Sequence, residues 1–254
     1  MASDTTPQPT TTTTTTTTKT VTVTTTLPRL PAPAALPEIR TPRLLLRGLR
    51  GSDLAAFHAL RRDAAFMAES TLGRPDADLA ESRAALECIV AGDRGPHFWY
   101  GVFERADDGT ADGGALLGDC GVHTVRGSGA GWPEVGYKLD PARWGRGYAT
   151  EAMGALLEAW WALPRGREER VAVYAGTLGE GVEAPEGEGE EVVVVREHVV
   201  AEVAAYNEAS CRVLQKLGFR DFGAWEEPDT QLHRLGEPLM LRHFVLPRPA
   251  DSSS

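Results

Sequence analysis

The sequence predicts a single α/β domain, and three stretches carry that expectation. Residues 132–161 (WPEVGYKLDPARWGRGYATEAMGALLEAWW) pass from the period of a strand to the period of a helix across a glycine-containing turn. Residues 39–60 begin with an apolar run, Leu44–Leu46, and continue into a helical pattern behind Ser52 and Asp53. Residues 192–219 place a β-branched run before an Asn207-capped helix that Gly218 closes. Strand followed by helix, repeated along a chain, is the pattern of a sheet covered by helices.

Composition narrows the class. The 254 residues are 24% charged and 42% hydrophobic, ordinary for a globular chain with one good core or two small ones. A formal charge of −10 argues against nonspecific nucleic-acid binding, which needs a basic surface. No apolar run approaches the roughly 20 residues of a membrane span. Cys88, Cys120 and Cys211 are widely spaced and suggest neither a disulfide framework nor a zinc site. A reducing, cytoplasmic location is the expectation.

The elements follow in order. Residues 1–37 read as a disordered Thr/Pro-rich tail, with an unbroken threonine run over Thr10–Thr18 and prolines at 28, 31, 33 and 37. The first arginine is Arg29, late for a transit peptide, and a secretory apolar core is absent. The folded domain is expected over residues 38–246, with 247–254 as a second tail. Ile39–Arg47 opens it as a strand. Ser52 and Asp53 then cap a helix bearing Leu54, Phe57, His58 and Leu60, in which His58 reads as a surface or partly buried residue. A second helix fits Ala77–Ala91. Phe98–Glu104 and Leu116–Val125 read as strands joined by an Asp/Gly-rich turn. In Glu134–Leu139, Val135, Tyr137 and Leu139 alternate with Glu134, Gly136 and Lys138, a half-buried strand that Asp140 and Pro141 end. From Ala149 the apolar positions are Ala152, Met153, Leu156, Leu157 and Trp160, a helix stopped by Pro164.

Beyond Pro164 the pattern breaks. Arg170–Ala175 reads as a strand. An acidic low-complexity insertion follows at about residues 176–191, and residues 180–197 hold seven glutamates against Arg196. Val192–Ala205 contains the next strand. After it Asn207 caps a short helix, Gly218 suits the left-handed position and Phe219 packs back. The last strand falls within Gln231–Leu246.

The turn at residues 144–148 invites a phosphate. A helix start leaves backbone N–H groups without partners and carries partial positive charge. Glycines let a ligand approach that backbone, and Arg143 and Arg146 add charge. The plain alternative is a strand-to-helix turn with a surface arginine pair. No Walker-type phosphate loop occurs in the chain. Gly145 and Gly147 fit the start of the dinucleotide fingerprint, but Thr150 stands at its third glycine.

Glu134–Leu139 followed by Trp144–Ala152 (WGRGYATEA) resembles motif A of the GNAT acetyltransferases, in the form found in the RimJ/RimL branch. Thr41–Arg47 (TPRLLLR) is similar to that branch's first strand, and Asn207–Ser210 with Lys216–Phe219 resembles motif B. The likeness covers roughly residues 38–246 apart from 164–191. It implies one GNAT-type domain: a mixed, mostly antiparallel sheet splayed between two parallel central strands, with helices on both faces. It implies acetyl-CoA as co-substrate and no metal. The cofactor contacts it assigns are Tyr137, Leu139, Arg143, Trp144, Gly145, Arg146, Gly147, Tyr148, Ala149, Thr150, Asn207 and Lys216. It places the link around Met67–Asp78 on the acceptor side, and Gly118–Gly121 beside the acetyl channel or simply in a tight strand.

Acetyl transfer to an amine needs a group to take the amine proton, donors for the oxyanion and a proton for the thiolate. The resemblance puts Glu134 forward as base, with an exposed strand glutamate as the alternative. It puts Ser210 forward as acid, against a helix-start hydrogen bond, and Tyr206 as a further acid candidate. The oxyanion donor is expected on the Val135–Leu139 backbone, at a bulge. The implied activity is direct transfer, in a ternary complex, to a protein N-terminal α-amine or a small-molecule amine, by a monomer or homodimer. A CoA-binding sensor or scaffold without catalysis is the alternative, and a dinucleotide-dependent oxidoreductase a third.

Overall fold

The computed structural model describes residues 19–92, 98–105, 113–179 and 193–250. Ten strands and five helices succeed one another: β1 (Thr20–Pro28), β2 (Ile39–Arg40), β3 (Leu44–Arg47), α1 (Leu54–Arg61), α2 (Ala64–Met67), α3 (Leu79–Ala91), β4 (Phe98–Glu104), β5 (Leu116–Thr124), β6 (Glu134–Leu139), α4 (Tyr148–Ala162), β7 (Arg165–Tyr174), β8 (His198–Ala204), α5 (Glu208–Lys216), β9 (Arg220–Pro228) and β10 (Pro238–Pro247). Eight of the strands form one sheet in the order β2-β3-β4-β5-β6-β8-β10-β9. Every neighbouring pair is antiparallel except β6 and β8. Those two share a single registered pair, Glu134 with Val200, and there the Val200 N–H donates to the Pro133 carbonyl at 2.8 Å. Beyond that point the strands diverge, so the sheet is splayed as expected.

Alternation along the strands sorts side chains onto two faces. Val135 and Leu139 of β6 join Phe98, Tyr100, Val122, Val199 and Ala201 in a core covered by α4 and α5. Helix α4 contributes Met153, Leu156, Leu157 and Trp160, each worth about 1.5–3 kcal/mol when fully buried. On the opposite face Leu45, Phe103 and Leu116 pack against Phe57, Leu60, Phe66 and Leu86 of α1–α3. The His58 ring lies 2.8 Å from the Ser82 hydroxyl, a link from α1 to α3, in keeping with a packing role.

The expectation of disorder through residue 37 is corrected by β1. Thr20–Pro28 pairs antiparallel with β7 in a separate two-stranded ribbon. Val21, Val23, Thr25 and Leu27 point inward in strict alternation, and Val21, Val23 and Val173 cover Trp132, Val200 and Val245. Threonine is β-branched and fits a pleated surface, so a threonine-rich stretch with valines at every second position is a strand once something covers it. Residues 1–18, most of the acidic insertion and the tail from 251 lie outside the described residues; Ala175–Thr177, at the insertion's edge, forms a 3-10 turn. Residues 220–228, for which the sequence reading offers no element, form the edge strand β9. Little of it is buried, so hydrophobic alternation is weak there.

Gly118 and Gly121 of β5 are explained by backbone crowding. A Cβ at Gly118 would collide with the Lys138 carbonyl, and one at Gly121 with the Phe98 carbonyl. The tight-strand reading of that motif accounts for both.

Candidate active site

The turn between β6 and α4 stands open. Gly145 and Gly147 have φ of 73° and 80°, the left-handed region that favours glycine. A Cβ at Gly145 would meet no described atom within 4 Å, and one at Gly147 only an Arg43 nitrogen at 3.6 Å. The α4 ladder begins with the Glu151 N–H donating to the Gly147 carbonyl at 3.0 Å. The amides of Tyr148, Ala149 and Thr150 come before that bond and point out of the helix start. Gly147, as the N-cap, brings no side chain to satisfy them.

Arg43 of the strand-opening segment fixes this turn. Its Nη1 donates to the Arg146 carbonyl at 2.9 Å, and its Nε to Glu151 Oε2 at 2.6 Å. Its guanidinium lies 4.5 Å from the Tyr148 ring centre. Thr41 Oγ1 donates to Glu151 Oε1 at 2.6 Å. Burial pushes the Glu151 carboxyl upward, but the Thr41 and Arg43 hydrogen bonds outweigh it and hold the group below its ordinary value. The first-turn carboxylate is thereby neutralised from one side, leaving the amides on the other.

The remaining expected cofactor contacts divide. Trp144 is exposed, and its Nε1 donates to the Leu139 carbonyl at 2.8 Å, so Leu139 braces the turn while its side chain stays in the core. Arg143 lies 3.3 Å from Glu104, which also accepts from the Tyr148 hydroxyl at 3.1 Å. Tyr137 reaches across the splay and donates from its hydroxyl to the Ser210 carbonyl at 3.2 Å; burial pushes that phenol up to about 12. Asn207 Oδ1 accepts from the Ser210 N–H at 3.1 Å, the helix-start bond expected of it. Lys216 sits exposed in the last turn of α5, away from the first.

Glu134 lies on the sheet face opposite α4, where the splay begins. Its side chain is 16% exposed, with the His123 ring 3.6 Å away. Burial first, then the Glu202 and Glu227 charges, push its carboxyl up to about 8. The expected bulge on β6 is corrected: residues 135–139 pair regularly, and the extra residue is His123 of β5, between Val122 and Thr124. The edge of β6 that faces β8 is nevertheless unpaired past Glu134, because the splay removes the partner strand. Tyr206 is exposed and lies 3.4 Å from Glu69 in the α2–α3 link, while Leu232 donates to the Thr71 carbonyl of that link at 3.0 Å.

Several residues near Glu134 escape a reading of the sequence. Glu202 of β8 and Glu227 of β9 act on it from strands far along the chain, and His243 of β10 lies between those two. Glu202 is a lone charge inside an apolar strand, and His243 sits within LMLRHFVL; that interruption is the signal each carries. Burial first, then Glu227, push Glu202 up to about 7, and burial lowers His243 to about 4. Among the described residues no group of three His, Cys, Asp or Glu side chains has the geometry to hold a metal ion, and no helix is long and apolar enough to cross a membrane.

An open helix start beside a splayed parallel pair, with a carboxylate at the mouth of the splay, defines an enzyme of the acyl-CoA transferase type. The comparisons bear this out. The profile of the acetyltransferase (GNAT) domain matches residues 43–220. In fold the chain is similar to a GNAT-family acetyltransferase from Bacillus anthracis, with 18% identity, TM-score 0.55, and 84% of this chain covered against 99% of that one. It is similar also to RimL, the ribosomal L7/L12 α-N-protein acetyltransferase solved with coenzyme A, with 17% identity, TM-score 0.55, and coverage of 85% and 100%. A third likeness is the microcin C7 self-immunity acetyltransferase MccE, solved with acetyl-CoA and AMP, with 10% identity, TM-score 0.56, and coverage of 82% and 93%. This chain belongs to the GNAT family of N-acetyltransferases.

Proposed function

We propose that the protein transfers acetyl from acetyl-CoA directly to an amine held on the Glu134 side of the splay. The observation that carries this reading is the pairing of two features of one gap: open α4 amides on one side and, on the other, the largely buried Glu134 carboxyl where β6 and β8 part. The diphosphate of acetyl-CoA lies against the amides of residues 146–149, with Arg146 adding charge, and the thioester passes between β6 and β8. Glu134 takes the proton from the acceptor ammonium, directly or through water. The neutral nitrogen attacks the thioester carbonyl carbon, and an unpaired β6 amide stabilises the oxyanion. The C–S bond breaks as the tetrahedral species collapses, the thiolate takes a proton from Ser210 or Tyr206, and the second proton that the nitrogen sheds as the amide forms restores that hydroxyl. Ser210 is the better placed of the two, since it lies in the first turn of α5 beside the Tyr137 bridge, whereas the Tyr206 hydroxyl turns toward Glu69. The acceptor is a protein N-terminal amine or a small amine.

The test is release of free CoA from acetyl-CoA with a panel of peptide and small-molecule amines, beside calorimetric CoA binding. Turnover that Glu134→Gln removes while CoA affinity persists supports the assignment. CoA binding without turnover on any amine would favour a sensor.

A further inference from the structure

Three carboxylates crowd one end of the splay, and the nearby cations are engaged elsewhere. Glu202 lies two residues along β8 from Val200, the register partner of Glu134, and on the same face. Glu227 reaches in from β9. Between Glu202 and Glu227 sits the His243 ring, with Nδ1 3.8 Å from one and Nε2 3.5 Å from the other. Trp225 stacks on that ring, 3.6 Å between centroids and 8° from parallel, and donates from Nε1 to Glu227 at 2.6 Å. The basic side chains of the same strands are engaged elsewhere: Arg242 of β10 pairs with Asp221, and Lys138 of β6 with Asp119 at 3.5 Å.

The histidine does not fill the gap. It is 1% exposed, and its Nε2 has no hydrogen-bond partner among the described residues. A neutral imidazole carries one N–H and so can serve only one of two flanking carboxylates. Nor does the reacting amine supply the missing charge, because it must be neutral when it attacks. A cation that stays charged throughout the reaction fits, and it takes the place of the proton that burial and Glu227 otherwise hold on Glu202. An ammonium, with three donors on a compact charge, matches acceptors that converge from two strands.

We propose that Glu202 and Glu227, braced by His243 and Trp225, form a subsite for a second ammonium group on the acceptor. The preferred substrate is therefore a di- or polycationic amine, with one amine at Glu134 for acetylation and another at this subsite. The inference rests on Glu134 marking the acceptor side. Two sources share the chemistry: an aliphatic diamine, and a peptide with lysine next to its free N-terminus.

Matched pairs test it. With saturating acetyl-CoA, diaminobutane is expected to exceed butylamine in kcat/KM by about tenfold or more, chiefly through KM, a gap of about 1.4 kcal/mol. A peptide beginning Ala-Lys set against one beginning Ala-Ala distinguishes the second source. Glu202→Gln and Glu227→Gln each bring the ratio within a pair toward one. Equal rates within both pairs, or a preference that neither substitution alters, would overturn the proposal while leaving N-acetyltransferase activity intact. If no amine is turned over, calorimetric titration of the CoA-bound protein with diaminobutane and butylamine decides: tighter diamine binding, lost in Glu202→Gln, supports the subsite, and indistinguishable or absent binding removes it. Failure to bind CoA would sink the functional reading instead.

Discussion

The turn at the head of α4 and the carboxylate pocket beside β6 differ in how they are assembled. The turn draws on Trp144–Glu151, a contiguous string, braced from outside by Thr41, Arg43, Glu104 and Leu139. The groups proposed to hold the diphosphate there are backbone amides, which only a proline substitution deletes, and glycines that expose them. The pocket draws on Glu134, Glu202, Glu227 and His243, from four strands, and its recognition groups are titratable side chains. The difference teaches where specificity can vary. A backbone site binds what all members of a family share, while a side-chain site from dispersed strands can be retuned one residue at a time.

The two regions separate most sharply at Glu134. Replacing it with Gln is expected to lower kcat by about 10²–10⁴-fold, the range for losing a general base, with the CoA dissociation constant unchanged by calorimetry. Parallel loss of CoA binding would mean that the pocket and the turn are one unit. Next in size is Val23→Asp. Val23 is fully buried in the ribbon that covers Val200 and Trp132, behind the pocket. A charge there is expected to cost about 3 kcal/mol or more, read as a shifted denaturant midpoint. An unshifted midpoint would detach β1 from the domain.

Gly147→Ala tests the turn alone. Forcing an L-residue to a φ of 80° costs about 1–2 kcal/mol, so CoA affinity or stability should fall by that amount, with amine KM unaffected.

The pocket should also set the pH dependence. Glu134 must be ionised to act, and its carboxyl is raised to about 8, so kcat/KM should climb through that region. Removing the Glu202 charge in Glu202→Gln should move the climb to lower pH. Stability should follow pH as well. Glu134, Glu197 and Glu202 are raised to about 8, 7 and 7 from 4.5, so the folded protein holds protons that the unfolded chain has lost. Their protonation favours folding at low pH, and that advantage fades as pH rises through the folded values. His198 and His243, lowered to about 4 from 6.5, work in the opposite sense below pH 6.5. From about pH 6.5 to 8 the histidines no longer oppose the raised carboxyls, and unfolding free energy should decline by at most about 1.4 kcal/mol per pH unit for each carboxyl still protonated. A flat profile would mean that these carboxyls are ionised in the folded protein.

The sequence by itself determined whatever depends on neighbours within a few turns of chain. The α4 helix and its glycine turn, the Asn207 cap, the strands around Glu134 and the family likeness were all legible there, because period, capping and turn chemistry are local. The strand at Thr20–Pro28 was not, since its threonines match a solvated tail equally well until β7 pairs with them and Trp132 lies beneath. Only the tertiary structure assembled the carboxylate pocket beside β6. Glu202, Glu227 and His243 acquire their meaning from sheet order, which sets β8, β10 and β9 side by side. Three carboxylates in separate strands exert no force on one another in the extended chain; packing brings them together and strips water from Glu134 and Glu202.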